Sequence, residues 1–140
     1  LVVGVSTLTY DPGQANYGPA KSGIVTFSQI AAKELIRYGV VSNCVVPGAR
    51  TRLTLASPGL TEIMEPPVDG FDEWDPANTS PLVAYLAGAT CPFNGETFYA
   101  QGGTVRQLKS WTLVGDSIEH PVRWRLDELD QAMRAFVQQH

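Results

Sequence analysis

Two apolar, β-branched runs separated by one long helical period restrict the fold of this chain more than any other feature. Leu1 to Ser6 and Val40 to Val46 each read as a buried strand: short, rich in Val, and without the polar alternation of a half-exposed strand. Between them, Ile24, Phe27, Ile30, Ala31, Leu35 and Tyr38 recur at helical spacing. Asn16 suits the cap position, Pro19 is tolerated in the first turn, and Gly39 is a stop, so the helix is expected from about Asn16 to Tyr38. Strand, helix, strand in that order predicts a crossover joining two parallel strands. In such sheets, ligands bind at the carboxyl ends of the strands. The apolar helix stripe is expected to face either the core or another subunit.

The remaining segments are read the same way. Thr7 to Gln14 holds Asp11-Pro12-Gly13 and is expected to be a loop. Pro47 to Asn78 is rich in Pro, Gly, Thr and Asp with little periodicity, which suggests a functional segment such as a lid. Ser80, with Pro81 behind it, is expected to cap a helix running to Ala87. Glu96 to Ala100 reads as a third strand ending at Gly102-Gly103, and an amphipathic helix is expected from about Leu126 to Val137.

Composition excludes several classes. At 140 residues and 44% hydrophobic the chain can bury a core as one soluble domain. It has no apolar stretch near the ~20 residues of a membrane helix. A net charge of -4 without basic clusters argues against nucleic acid as a partner. Cys44 and Cys91 lack CxxC spacing and read as reduced, buried thiols of a cytoplasmic protein. His120 and His140 have no ligand-spaced partners, so no metal is expected. The first run has neither a starting Met nor a charged signal segment, which suggests that the sequence opens within a fold.

Chemistry concentrates in the run GQANYGPAKSG. Tyr17 and Lys21 stand at i and i+4 and share a helix face. A free Tyr titrates near ~10, and a neighbouring cation lowers that value by favouring the phenolate, which is how a proton donor for neutral pH is made. The plain alternative is a solvated Tyr and Lys on a helix surface.

The ordered signals Tyr17 with Lys21, then NCVVPG from Asn43, then NGETFYAQGG from Asn94, resemble the short-chain dehydrogenase/reductase family over residues 1 to about 105. The likeness is in particular to (3R)-3-hydroxyacyl-CoA dehydrogenase units and 3-oxoacyl reductases. It implies an α/β fold: the C-terminal part of a Rossmann-like three-layer parallel sheet with flanking helices over 1–105, then an extension over 106–140. It implies hydride transfer between NAD or NADP and a 3-hydroxyacyl thioester or similar secondary alcohol. The substrate expected is acyl-CoA-like, with no nucleic acid and no membrane involved, in a homo-oligomer. Tyr17 would be the proton donor or acceptor. Lys21 would lower its pKa and hydrogen-bond the nicotinamide ribose. Asn16 would sit beside the site, and Pro47, Gly48 and Thr51 would approach the nicotinamide, Gly48 through its missing Cβ.

Two departures qualify these expectations. The family places a catalytic Ser thirteen positions before the Tyr, where this chain has Gly4; Ser6, two residues on and therefore on the same strand face, is the candidate substitute. The Gly-rich turn that receives the pyrophosphate is absent from these residues, so the first half of the cofactor site is not in this chain. The second reading is accordingly a non-catalytic remnant or dimerisation module, with the helix as its dimer face.

Overall fold

The computed structural model describes residues 2–5, 13–56, 59–109, 111–113, 115 and 117–138. These fall into two compact units divided after Lys109.

The first unit is built on the crossover. Strand β1 (Val2–Val5) leads to helix α1 (Tyr17–Leu35) and back to strand β2 (Ser42–Gly48), and the strands pair in parallel with Gly4 opposite Cys44. The helix starts as the sequence predicts, with the Asn16 side chain accepting from the Tyr17 N–H at 2.8 Å. It ends in a 3-10 turn over Ile36–Tyr38, closed by Gly39 at φ 71°, a left-handed conformation that favours glycine. The expected Thr7 to Gln14 loop lies mostly outside the described residues.

The apolar stripe divides between buried and exposed sides. The residues α1 buries are Ser28, Ala31 and Ala32, while Phe27 and Ile30 are exposed. Small side chains let the helix approach the sheet closely, and the Ser28 and Ser42 hydroxyls pair at 2.9 Å across that contact. Phe27 and Ile30 are left on the outward side. Of the stripe residues, Ala31 is buried and Ile24 and Leu35 are half-buried, while Phe27, Ile30 and Tyr38 are exposed.

Strand β2 begins two residues later than expected and keeps Pro47 and Gly48 in the ladder. It pairs in parallel with strand β3 (Thr97–Gln101), Pro47 opposite Ala100 and Gly48 opposite Gln101. A fourth strand, β4 (Thr104–Leu108), was not expected: the chain turns at Gly102-Gly103 and returns antiparallel, so the sheet order is β1-β2-β3-β4 with three strands parallel and the last reversed. Four of the five β4 residues are exposed, which hides the alternation by which a strand is recognised.

Helix α4 (Ser80–Ala87) packs on the opposite face from α1. Strand alternation sends Ser42, Cys44 and Val46 toward α1 and Val45 the other way, where Val45, Phe98 and Leu86 form the core with Leu82, Cys91 and Phe93 around it. This makes the helix, sheet, helix layering. Ser80 is the first residue of α4 rather than its cap, because a 3-10 turn over Pro76–Thr79 runs directly into it. The segment from 47 to 78 is more ordered than its composition suggests, with short helices α2 (Arg52–Leu55) and α3 (Leu60–Ile63).

The second unit contains α5 (Leu126–Gln138), whose first turn carries Asp127 and Glu128. Glu128 accepts from the Arg125 N–H at 3.1 Å, closing the helix start. No described helix is long and apolar enough to cross a membrane.

Candidate functional site

A parallel crossover delivers the start of α1 and the ends of β2 and β3 to the same edge of the sheet. Tyr17 is the first residue of α1 and is 46% exposed. Lys21 follows one turn on, half-buried, with Nζ 5.6 Å from the centre of the Tyr17 ring. The pair anticipated from i, i+4 spacing is thus in contact.

Lys21 also acts on the sheet below. The Cys44 thiol is fully buried, and burial pushes its pKa up to about 11; the Lys21 ammonium and the Val45 backbone N–H pull it partly back down. The lysine therefore stands over the Tyr17 ring while its charge reaches the middle of β2.

Gly48 also serves the packing of the sheet itself. A Cβ there would lie 2.8 Å from the Tyr99 hydroxyl and 3.2 Å from Cβ of Gln101, so the missing side chain makes room for β3's own residues. Pro47 is partly buried beside it in β2. Thr51 is exposed and caps α2: its hydroxyl accepts from the Thr54 N–H at 3.2 Å, and Thr54's hydroxyl accepts from the Thr51 N–H at 2.6 Å. Asn16 holds the first helical N–H. Gly4 lies in β1, and Ser6 is outside the described residues.

The motif asparagines are structural. Asn43 donates to the Phe93 carbonyl at 3.0 Å and accepts from Glu96 N–H at 3.1 Å. Asn94 accepts from Ser42 N–H at 2.9 Å and donates to the Ala32 carbonyl at 3.1 Å. Together they tie the end of α1 and the starts of β2 and β3, which holds the opposite, carboxyl ends in register.

Sequence reasoning missed an ion pair. Arg50, just past β2, makes a two-pronged contact with Asp72 and donates to the Met64 carbonyl at 2.7 Å, while its backbone N–H donates to the Trp74 carbonyl at 2.7 Å. The guanidinium holds the Asp72 carboxyl below its ordinary range, helped by the Trp74 N–H, and the carboxylate raises Arg50 in turn. The segment around 64–74 is thereby fastened to the end of β2. No local signal marks a pair 22 residues apart.

The residues present fit one end of a nicotinamide cofactor. A half-buried ammonium beside a phenol suits ribose hydroxyls and a reacting oxygen, whereas no Gly-rich pyrophosphate turn stands in the sequence.

No family model matches the chain. A hydroxyacyl-CoA dehydrogenase of Mycobacterium tuberculosis is 38% identical over 125 residues, 89% of this chain and 39% of that protein. A crystal structure of a short chain dehydrogenase from Mycobacterium avium superposes with a TM-score of 0.77 at 34% identity, covering 97% of this chain and 44% of that one. The chain belongs to the short-chain dehydrogenase/reductase family. A 3-oxoacyl-(acyl-carrier-protein) reductase of Synechocystis sp. is a further relative, 34% identical over 110 residues, 74% of this chain and 42% of that protein. This short-chain dehydrogenase/reductase sequence thus spans about two-fifths of the curated relatives it matches. Among its described residues no three His, Cys, Asp or Glu side chains gather as a metal site would require.

Proposed function

We propose that this chain carries the proton-transfer half of an oxidoreductase acting on 3-hydroxyacyl thioesters or similar secondary alcohols, with NAD or NADP as hydride partner, in the cytoplasm. The observation that carries the reading is the Lys21 ammonium at 5.6 Å from the Tyr17 ring, at the first turn of the crossover helix. Relatives named for hydroxyacyl-CoA and for 3-oxoacyl-(acyl-carrier-protein) support the thioester.

In oxidation the Tyr17 phenolate takes the proton from the substrate hydroxyl as the carbinol C–H bond breaks. In reduction the phenol gives that proton to the oxygen of the former carbonyl. Lys21 supplies positive charge to the oxygen while it is anionic and hydrogen-bonds the nicotinamide ribose with its rotatable donors. When bound, the nicotinamide accepts or supplies the hydride. Pro47, Gly48 and Thr51 border the nicotinamide through backbone groups and the Thr51 hydroxyl, and Ser6 takes the donor role for which Gly4 has no side chain. Tyr17→Phe lowers kcat by ~10² to 10⁴ on this account while leaving cofactor affinity unchanged; a variant that keeps its turnover refutes it.

A second reading has its own observation. Phe27 is 66% and Ile30 51% exposed on the outward side of α1, and paired apolar surface of this kind marks an association face. A second copy of the chain is the proposed occupant, with residues 1–105 as the associating domain and 106–140 as an extension. Ile30→Glu then shifts the molar mass seen by light scattering to that of the monomer; an unchanged mass contradicts the pairing.

A further inference from the structure

Alternation along the β3–β4 hairpin sets Tyr99, Gln101, Thr104 and Arg106 on one face, since Tyr99 pairs with Arg106 and Gln101 with Thr104 across the ladder. These four line a cleft of ≈ 390 Å³ whose facing wall is Phe71 and Glu73. That volume falls in the ~300–1,000 Å³ range of small-molecule sites.

The walls are set before any ligand arrives. Tyr99 donates its hydroxyl proton to Gln101 Oε1, fixing both rotamers. Asp72, between the two wall residues, is held by Arg50, with Trp74 N–H donating to it at 3.1 Å. The hairpin tip presses on the same wall, because a Cβ at Gly102 would lie 3.1 Å from Cβ of Glu73. Pre-formed walls of this kind reduce the ordering cost of binding.

The chemistry of the lining selects a ligand class. Arg106 can only donate and Glu73 can only accept, while the Thr104 hydroxyl can do both. One positive and one negative group leave little net charge, so the cleft does not favour a strongly ionic ligand. It matches a neutral chain that offers N–H and C=O groups in turn, which is a chain of secondary amides. Its position fits too: the Tyr99 hydroxyl that lines the cleft also occupies the space beside Gly48, next to the end of β2 proposed to border the nicotinamide.

We propose that this cleft binds the amide arm of a pantetheine-type thioester carrier. The inference rests on the thioester reading above, and both carriers named there, coenzyme A and acyl carrier protein, present their acyl group on this arm.

Titration of the full ¹⁵N-labelled chain with pantetheine, followed by amide chemical shifts, tests it. Saturable shifts are expected at Phe71, Glu73, Gly102, Gly103 and Thr104. Arg106→Met and Glu73→Gln, both at exposed positions, each weaken that binding ~2- to 10-fold, the loss of one net hydrogen bond, with unchanged spectral dispersion elsewhere. Absence of saturable shifts at the cleft, or affinities equal in the variants and the parent, overturns the inference. Parallel titrations with coenzyme A and with holo-acyl carrier protein identify the source by the tighter of the two. Pantetheine binding requires neither nicotinamide nor Tyr17. If Tyr17→Phe abolishes turnover while pantetheine leaves the cleft unmoved, the arm site alone falls; if pantetheine binds but Tyr17→Phe keeps turnover, the proton-transfer reading alone falls.

Discussion

Lys21 stands near two groups of opposite exposure, the half-exposed Tyr17 ring and the buried Cys44 thiol. The thiol gives a signed prediction. Its folded pKa of about 11 stands above the ordinary 9.0, so the folded state holds its proton longer than the unfolded chain does. Stability from this group is present below the ordinary value and is lost as pH rises toward the folded one, at no more than ~1.4 kcal/mol per pH unit. Urea unfolding of the parent and Cys44→Ala across that interval should converge with rising pH; parallel curves would contradict the assignment. Gly102, at φ 52° and against Glu73, is a position where a side chain is poorly tolerated. Gly102→Ala should cost ~1–2 kcal/mol in the same assay from its left-handed conformation alone, and an unchanged midpoint would show that the hairpin tip relaxes freely. At this scale, Asn16, Tyr17 and Lys21 are readable because their relations are local: a cap and one helical turn. Arg50 with Asp72 is not readable, since that pairing depends on a backbone path of 22 residues that no short pattern encodes.

The elements divide along the same line. The β1–α1–β2 crossover follows from two Val-rich runs and one helical period, and the helix over Ser80–Ala87 follows from Pro81 and its flanks. Strand β4 escaped because Thr104, Val105, Arg106 and Gln107 are all exposed, so no buried face imposes a period of two. The α1 stripe divides because sequence periodicity weighs large apolar residues, whereas close helix-to-sheet contact selects small ones, here Ser28, Ala31 and Ala32, and leaves Phe27 and Ile30 outward. The irregular composition of 47–78 concealed an ion pair that orders it. The Arg50–Asp72 contact depresses the Asp72 carboxyl, so the order it contributes is present above the ordinary carboxylate range and is lost as pH falls through the depressed value. Asp72→Asn should raise amide exchange at Arg50 and Trp74 at neutral pH and abolish the acid dependence of that exchange; protection identical to the parent would show that the segment is held by other contacts.

At the scale of the whole molecule, family membership rests on the combination of fold and sequence, and the proposed activity rests on a few residues at one sheet edge. The chain covers about two-fifths of its relatives, and what it holds is a phenol, an ammonium and a fastened loop beside a polar cleft, which the proposed function reads as the substrate side of the chemistry. The central claim is that Tyr17 moves the proton. It is tested most directly by the rate of NAD(P)H appearance with 3-hydroxybutyryl-CoA for the parent protein and Tyr17→Phe, with cofactor affinity measured alongside. The account predicts a kcat loss of ~10² or more at unchanged cofactor affinity; equal rates, or a loss traced to cofactor affinity alone, would contradict it.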